Sequence, residues 1–264
     1  MRGMLIDLDG VIWEGDRVVP GAPEAIDWLQ AAGIPHRFVT NTTSRPRRLI
    51  VDKLARLGIV VDGERILTPP VAATRWLGKH AGGRVTLVVP DATREDFTMV
   101  DSVPLGDSDA IAAIVVGDIG DAWTYPLLND IFRLLMRVPA PQLIALGMTR
   151  YWRAEDGLRL DVAPFIKALE HAADCTAVVL GKPSPDFFGI ALDTIDCEAA
   201  DVVMIGDDIG TDVGGAQEVG MQGMLVKTGK YLPQDLGGPI RPDVTLDSIA
   251  RLPEWWREQA TTDG

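Results

Sequence analysis

The sequence predicts an α/β fold: a Rossmann-like, doubly wound parallel sheet with a second α/β domain inserted into it. Strand and helix signals alternate along nearly the whole chain, which is typical of parallel sheets covered by helices. Polar segments follow several of the predicted strands. The alternation is interrupted after residue 70, and the strand–helix pattern of the first segment continues from about residue 178, which indicates an insertion.

The chain opens with a short apolar strand, Met4–Ile6, that leads into Asp7 and Asp9. In open α/β sheets the carboxyl ends of the strands carry the chemistry, so this pair marks the predicted site. Side chains two residues apart on a strand point the same way. Because two close carboxylates repel each other, the pair needs a cation, a shared proton or both.

The rest of the core is predicted from helix boundaries and apolar runs. Proline suits a first helical turn and glycine ends a helix, so Pro23 and Gly33 bound the first helix. The other predicted core elements are strands at 37–40, 177–180, 202–205 and 223–226, and helices at 46–57, 185–195, 212–219 and 246–258.

Thr68-Pro69-Pro70 indicates a break, after which a second α/β pattern begins. This pattern predicts helices at 72–80, 125–138 and 162–173, and strands at 85–89, 111–116 and 142–146. We therefore expect a core formed by residues 1–70 and 178–264 and an inserted domain at 71–177. A domain inserted beside the carboxyl ends of a sheet is well placed to act as a lid.

Composition restricts the class of partner. The 264 residues are 47% apolar, enough for a sizeable core, and carry a formal net charge of −13, which disfavours nucleic acid and anionic membranes. Apolar runs stay short of the roughly 18 residues that a membrane span needs, and Asp7 and Asp9 interrupt any signal-peptide pattern. Cys175 and Cys197 form no C-x-x-C pair. We expect a cytoplasmic protein with neither nucleic acid nor membrane as a partner.

Four polar segments follow predicted core strands, and in a parallel sheet they would meet at one edge. Each alone is also an ordinary turn or helix cap. Together they supply carboxylates for Mg²⁺, a carboxylate that can attack phosphorus, and lysine and hydroxyl donors for phosphoryl oxygens. They therefore predict Mg²⁺-dependent phosphoryl transfer. The segments are Asp7-x-Asp9, Thr40-Asn41-Thr42, Gly181-Lys182-Pro183, and Gly206-Asp207-Asp208 with Asp212.

These segments also resemble a known family. Asp7-Leu8-Asp9-Gly10-Val11, Val39-Thr40-Asn41, Gly181-Lys182-Pro183 and Gly206-Asp207-Asp208 resemble the four motifs of the haloacid dehalogenase-like (HAD) phosphatases. An insert between the second and third motifs is similar to the type II (IIA) cap, which sets substrate specificity. A narrower resemblance, carried by segments such as 182–188, 204–217 and 227–231, is to members that act on phospholysine, phosphohistidine or inorganic pyrophosphate.

The resemblance implies a role for each site residue. Asp7 would be the nucleophile, and Asp9 the general acid and then the general base, with its backbone carbonyl facing the metal. Asp207 would complete the Mg²⁺ ligands Asp7, Asp9 and Asp207. Asp208 and Asp212 would lie outside this set and orient waters and Lys182. The substrate phosphate would be bound by Thr40, Asn41, Thr42 and Lys182.

The leading hypothesis is thus a phosphohydrolase that acts on a small phosphorylated compound through an aspartyl-phosphate. One alternative keeps the fold but cleaves P–N bonds or pyrophosphate. Another is a signalling module in which phospho-Asp is the output, although such modules are usually single domains of about half this length and need no acid at the position of Asp9. Members of the family often dimerise through the cap, so the resemblance is compatible with a homodimer.

Overall fold

The computed structural model describes residues 1–106, 110–154 and 156–262, with side chains as far as residue 259. The chain divides into two compact units. Unit 1 contains residues 1–40, 48–67 and 182–264, and unit 2 contains residues 41–47 and 68–181. The sequence predicts domain boundaries at 70/71 and 177/178, a few residues from the observed boundaries between the units. It does not predict that residues 41–47 belong to unit 2.

Strands and helices alternate over much of the chain, as predicted, but several short strands, among them Trp13–Glu14, Arg17–Val18 and Ser102–Val103, are not predicted from the sequence. The strands are β1 (Gly3–Asp7), β2 (Trp13–Glu14), β3 (Arg17–Val18), β4 (His36–Val39), β5 (Ile66–Leu67), β6 (Arg84–Val88), β7 (Ser102–Val103), β8 (Ile111–Val116), β9 (Gln142–Ala145), β10 (Tyr151–Ala154), β11 (Gly157–Leu160), β12 (Val178–Val179), β13 (Val202–Gly206), β14 (Gln222–Val226) and β15 (Val244–Leu246). The α-helices are α1 (Ala22–Ala31), α2 (Arg47–Arg56), α3 (Pro69–His80), α4 (Tyr125–Leu135), α5 (Ala163–Ala173), α6 (Pro185–Asp193), α7 (Gly215–Glu218) and α8 (Leu252–Thr262).

Unit 1 is built on a parallel sheet with the strand order β15-β14-β13-β1-β4-β5. Strand β1 is central and entirely buried. Its side chains alternate between the two faces: Met4 and Ile6 join an apolar cluster with residues of α1, α2 and α8, whereas buried Leu5 lies outside that cluster. Both faces are therefore covered, as in a doubly wound fold.

Unit 2 contains a second parallel sheet, with the order β12-β9-β8-β6-β7, and an antiparallel hairpin formed by β10 and β11. Helices α4 and α5 supply Ile131, Leu134 and Ile166 to its apolar core. The predicted α/β fold class is thus confirmed. Within the described ranges we find no helix long and apolar enough to cross a membrane.

Three local predictions are wrong. The helix predicted at 72–80 begins three residues earlier, within the Thr68-Pro69-Pro70 segment itself: Thr68 Oγ1 accepts a hydrogen bond from Val71 N at 3.4 Å, and both prolines fit the first turn. The predicted helix 246–258 begins only at Leu252, because Val244–Leu246 pairs with β14 as a strand. Finally, β12 pairs with β9 in unit 2 and does not belong to the core sheet.

Candidate functional site

Two adjacent strands of unit 1 bring Asp7 and Asp207 together. Strands β1 and β13 pair in parallel, with Ile6 opposite Ile205, so Asp7 ends one strand beside the point where Asp207 follows the other. The strand order changes direction between β1 and β13, since β4 and β5 extend the sheet on one side and β14 and β15 on the other. Ligand sites of open α/β sheets lie at such a switch point.

The turn after Asp207 folds a third carboxylate back toward the first two. Asp208 begins a π-helical segment (Ile209–Gly214) and accepts hydrogen bonds on Oδ1 from the amides of Gly210 and Thr211, both at 2.9 Å. The amide of Asp208 in turn donates to Asp212 Oδ2 at 3.2 Å. As a result, one carboxylate oxygen each from Asp7, Asp207 and Asp212 lie within 4.8 Å of one another. We call these three residues the carboxylate cluster.

Lys182 supplies positive charge to this cluster. Its Nζ donates to Asp7 Oδ1 at 2.6 Å and lies 2.7 Å from Asp212 Oδ1. The lysine is buried, with 5% of its surface exposed. The prediction that all four polar segments follow strands of the core sheet is wrong for Lys182, since the strand before it, β12, is in unit 2. Val178–Val179 is too short and uniformly apolar to indicate to which sheet it belongs.

Burial raises the pKa values of Asp7 and Asp207, and nearby carboxylates add to the effect. Burial raises the pKa of Asp7 to about 8; Lys182 opposes this effect, and the charge of Asp212 adds to it. Burial likewise raises the pKa of Asp207 to about 6. Burial alone would lower the pKa of Lys182, but the adjacent carboxylates outweigh it and raise that pKa above its usual range. Three buried carboxylates beside one ammonium group therefore favour the uptake of a proton or the binding of a cation.

A bound cation fits this donor set. Asp207 Oδ2 accepts from the amide of Lys230 at 2.7 Å, whereas Asp207 Oδ1 is buried and accepts no hydrogen bond from any group that the structure describes. A buried carboxylate oxygen without a donor is costly. Several carboxylates with room for water are the ligands that Mg²⁺ uses in proteins. The carboxylate cluster could therefore hold a divalent cation.

Asp9 is predicted to be both the general acid and a metal ligand, but its side chain lies outside the carboxylate cluster. That side chain is exposed, and Asp9 Oδ1 accepts a hydrogen bond from the indole Nε1 of Trp13 at 2.7 Å. Asp208 also keeps its side chain outside the cluster, on the amides of the π-helical segment and 3.7 Å from Lys230 Nζ. The amide donors hold the pKa of Asp208 below its usual value even though burial alone would raise it.

The predicted phosphate-binding segment is divided between the two units. Thr40 belongs to unit 1, is buried, and follows β4, whose Val39 pairs with Asp7. Its amide donates to Leu67 O at 3.2 Å, which fixes the backbone at the strand end. Asn41 and Thr42 belong to unit 2.

The sequence predicts no chemical role for the loop after β14, although residues 227–231 carry part of the narrower family resemblance. Thr228 Oγ1 donates to Gly10 O at 2.5 Å, and the amide of Gly229 donates to Glu14 Oε1 at 2.7 Å. Lys230 contributes the amide bond to Asp207 noted above. The available signal was positional: this glycine-containing loop follows a predicted core strand, and so lies at the same edge of the sheet as Asp7.

Comparison with known proteins gives consistent matches over most of the chain. Residues 4–102 match the model of the haloacid dehalogenase-like hydrolases, and residues 179–252 match a related HAD-hydrolase-like model. The chain is 38% identical over 255 residues to human phospholysine phosphohistidine inorganic pyrophosphate phosphatase, covering 95% of this chain and 92% of the relative. It is 43% identical over 235 residues to haloacid dehalogenase-like hydrolase domain-containing protein 2 of Rattus norvegicus, covering 89% and 87%.

A solved structure extends this likeness to three dimensions. The p-nitrophenyl phosphatase from Archaeoglobus fulgidus superimposes with a TM-score of 0.86 at 27% identity, covering 96% of this chain and 98% of that one.

Proposed function

Since the chain belongs to the haloacid dehalogenase-like hydrolases, we propose that it is a Mg²⁺-dependent phosphatase that hydrolyses a small phosphorylated compound through an aspartyl-phosphate on Asp7. The observation that carries this proposal is the burial of Lys182 between Asp7 and Asp212, beside Asp207. A buried ammonium among carboxylates can attract a phosphoryl group to a site that would otherwise repel it.

The metal would be held by Asp7 and Asp207 together with the backbone carbonyl of Asp9. The proximity of Asp212 to Asp7 and Asp207 supports it as a further ligand or as a neighbour that binds waters. When bound, Mg²⁺ supplies positive charge that offsets these carboxylates and polarises a phosphoryl oxygen.

In the first step, a carboxylate oxygen of Asp7 forms a bond to phosphorus while the bond from phosphorus to the leaving group breaks. Asp9 donates a proton to the departing atom. In the second step, Asp9 removes a proton from water as that water attacks the aspartyl-phosphate, so inorganic phosphate leaves and Asp7 is restored. Thr40 and Lys182, with Asn41 and Thr42, hold the phosphoryl oxygens throughout.

A second candidate function has the support of one specific observation. The 38% identical human relative is named for phospholysine, phosphohistidine and inorganic pyrophosphate. For a P–N bond the departing atom is nitrogen, which also needs the proton from Asp9. The signalling alternative has no comparable support, because the human relative and the structural neighbour from Archaeoglobus fulgidus are both named phosphatases. Unit 2 would act as the cap that selects the substrate, and pairing of two copies stays a prediction.

Turnover of 4-nitrophenyl phosphate tests the proposal. We expect hydrolysis with Mg²⁺ and none after chelation by EDTA. Asp7→Asn should abolish activity, and Asp9→Asn should lower it by at least about 10²-fold, the usual contribution of acid–base catalysis. Asp16→Asn, in an exposed turn, is the matched control and should retain activity. Full activity of Asp7→Asn would refute the nucleophile assignment.

A substrate panel would then separate the two candidate functions. It should contain sugar phosphates, phosphoglycolate and pyridoxal phosphate on one side, and phosphohistidine, phospholysine and pyrophosphate on the other. The ratio of kcat/KM between the two groups decides which class the protein prefers.

A further inference from the structure

Trp13 makes an unusual contact for a buried aromatic residue: it holds an exposed carboxylate. Only 3% of the surface of Trp13 is exposed, yet its indole Nε1 donates to Asp9 Oδ1 at 2.7 Å. An exposed aspartate ordinarily samples several rotamers in water. Here one of its oxygens is bound to a donor that is itself fixed in the core of unit 1, so the carboxylate has a defined orientation.

The backbone around the turn holds the indole in this position. The amide of Trp13 donates to Leu8 O at 3.2 Å, and Trp13 O accepts from the amide of Gly10 at 2.7 Å. Gly10 has φ of 80°, a conformation that residues with a Cβ rarely adopt. The turn thereby folds residue 13 back beside residue 9, whereas an extended chain would separate them.

A contact on the face of the indole ring also restricts its orientation. Lys53 Nζ lies 4.2 Å from the ring centroid, and the same ammonium donates to Gly15 O at 2.8 Å. This cation–π contact favours one orientation of the ring. Rotation of the indole away from Asp9 would disrupt the contact with Lys53 as well as the hydrogen bond.

We propose that Trp13 is a positioning residue for the phosphatase reaction: its indole N–H orients Asp9 so that Asp9 Oδ2 delivers the proton to the leaving group. This inference rests on the proposed function. As the bond from Asp7 to phosphorus forms and the bond to the leaving oxygen breaks, a proton moves from Asp9 Oδ2 to that oxygen. Asp9 Oδ1 keeps its hydrogen bond to the indole during the step.

A positioning role has a consequence that a purely structural role lacks. A leaving group that is stable as an anion, such as 4-nitrophenolate, departs with little need of a proton. A more basic leaving group, such as 4-methoxyphenolate, depends on the acid. Misorientation of Asp9 should therefore slow the second type of substrate more than the first, while general damage to the fold should slow both equally.

The test compares kcat/KM for 4-nitrophenyl and 4-methoxyphenyl phosphate in Trp13→Phe, which keeps an aromatic ring but removes the N–H. We expect a decrease of about 10-fold for the methoxy substrate and under about twofold for the nitro substrate, since acid catalysis as a whole contributes about 10²–10⁴-fold. The ratio of the two values does not depend on the fraction of folded enzyme, so partial misfolding of the variant leaves the test valid.

Two further variants complete the design. Trp28→Phe removes an indole N–H from α1, where Trp28 is half-buried beside Arg257, and should leave the ratio unchanged. Asp9→Asn should change the ratio in the same direction as Trp13→Phe and further. If Asp9→Asn changes it and Trp13→Phe does not, the positioning role is refuted while the proposed function stands. If Asp9→Asn leaves the ratio unchanged, the acid role of Asp9 fails and the positioning role fails with it.

Discussion

Lys182 Nζ lies 2.6 Å from Asp7 Oδ1, and both side chains are buried. The two residues are 175 positions apart in the sequence, so the pair forms only when the two segments of unit 1 that carry them come together. A buried ion pair of this kind contributes little net stability when it is intact, because both groups have lost their hydration. Removal of one partner, however, leaves the other charge buried and unpaired.

Replacement of the lysine should therefore cost both stability and activity. We expect Lys182→Met to lower the free energy of unfolding by about 3 kcal/mol, the typical cost of breaking a buried pair, and to abolish turnover. Urea unfolding in EDTA measures the first effect. Lys227→Met is the matched control, because Lys227 is exposed in its pair with Asp247, and its unfolding midpoint should match that of the wild type. An unchanged midpoint for Lys182→Met would contradict the prediction.

Gly10 allows close approach to Asp207. A Cβ at Gly10 would overlap Asp207 Oδ2, and the φ of Gly10 is 80°. We expect Gly10→Ala to displace Asp207 and to lower kcat at least about tenfold, because small misplacements of reacting groups are costly. Gly15→Ala is the matched control: it also has positive φ, at 58°, but a Cβ there meets nothing within 4 Å.

The comparison of these two glycine variants separates backbone strain from steric displacement. Each should lose about 1 kcal/mol of stability from the left-handed conformation alone. Only Gly10→Ala should also lose activity. Equal activities of the two variants would mean that Asp207 tolerates the displacement.

Metal binding should appear as a gain in stability that is independent of turnover. A cation that binds only the folded protein stabilises it by about 2.7 kcal/mol at 100 times its dissociation constant. We expect Mg²⁺ to raise the Tm of the wild type and to have a much smaller effect on Asp207→Asn. Asp27→Asn, which alters an exposed carboxylate on α1, should keep the full Mg²⁺ response. A full response in Asp207→Asn would remove Asp207 from the metal site.

His36 should make unit 1 less stable in mild acid. Burial lowers the pKa of His36 below its ordinary 6.5, and Arg65 and Arg37 lower it further, while the carbonyl of Ile34 opposes the shift. Between about pH 6.5 and the lower folded-state pKa, the unfolded chain binds the proton and the folded chain does not. Stability is therefore lost as the pH falls through this window, and the histidine contributes no such loss above it.

Urea midpoints at pH 7.5 and 5.5 measure this effect. The wild type should lose more stability between the two pH values than His36→Gln, which cannot take up a proton. Other titrating groups contribute equally to both proteins, so the difference between them isolates His36. A steeper pH dependence in the variant would reverse the assigned sign.

Much of the fold could be predicted because its signals are local. The apolar run before Asp7, the proline at the start of α1 and the alternation of elements each depend on neighbouring residues. Errors occurred where local signals are ambiguous. Pro69 and Pro70 are compatible with a loop or with the first turn of a helix, and the Thr68 cap decides that α3 begins there. Val178–Val179 suits either sheet, and its pairing partner is distant in sequence.

The sequence by itself determined the fold class and the polar segments that carry the chemistry, because strand periodicity and helix boundaries depend on residues close along the chain. Only the tertiary structure decided which side chains meet. The π-helical segment brings Asp212 to Asp7 and Asp207, and a tight turn places Asp9 on the indole of Trp13. These contacts depend on strand order and on the path of each turn, which no single stretch of sequence specifies.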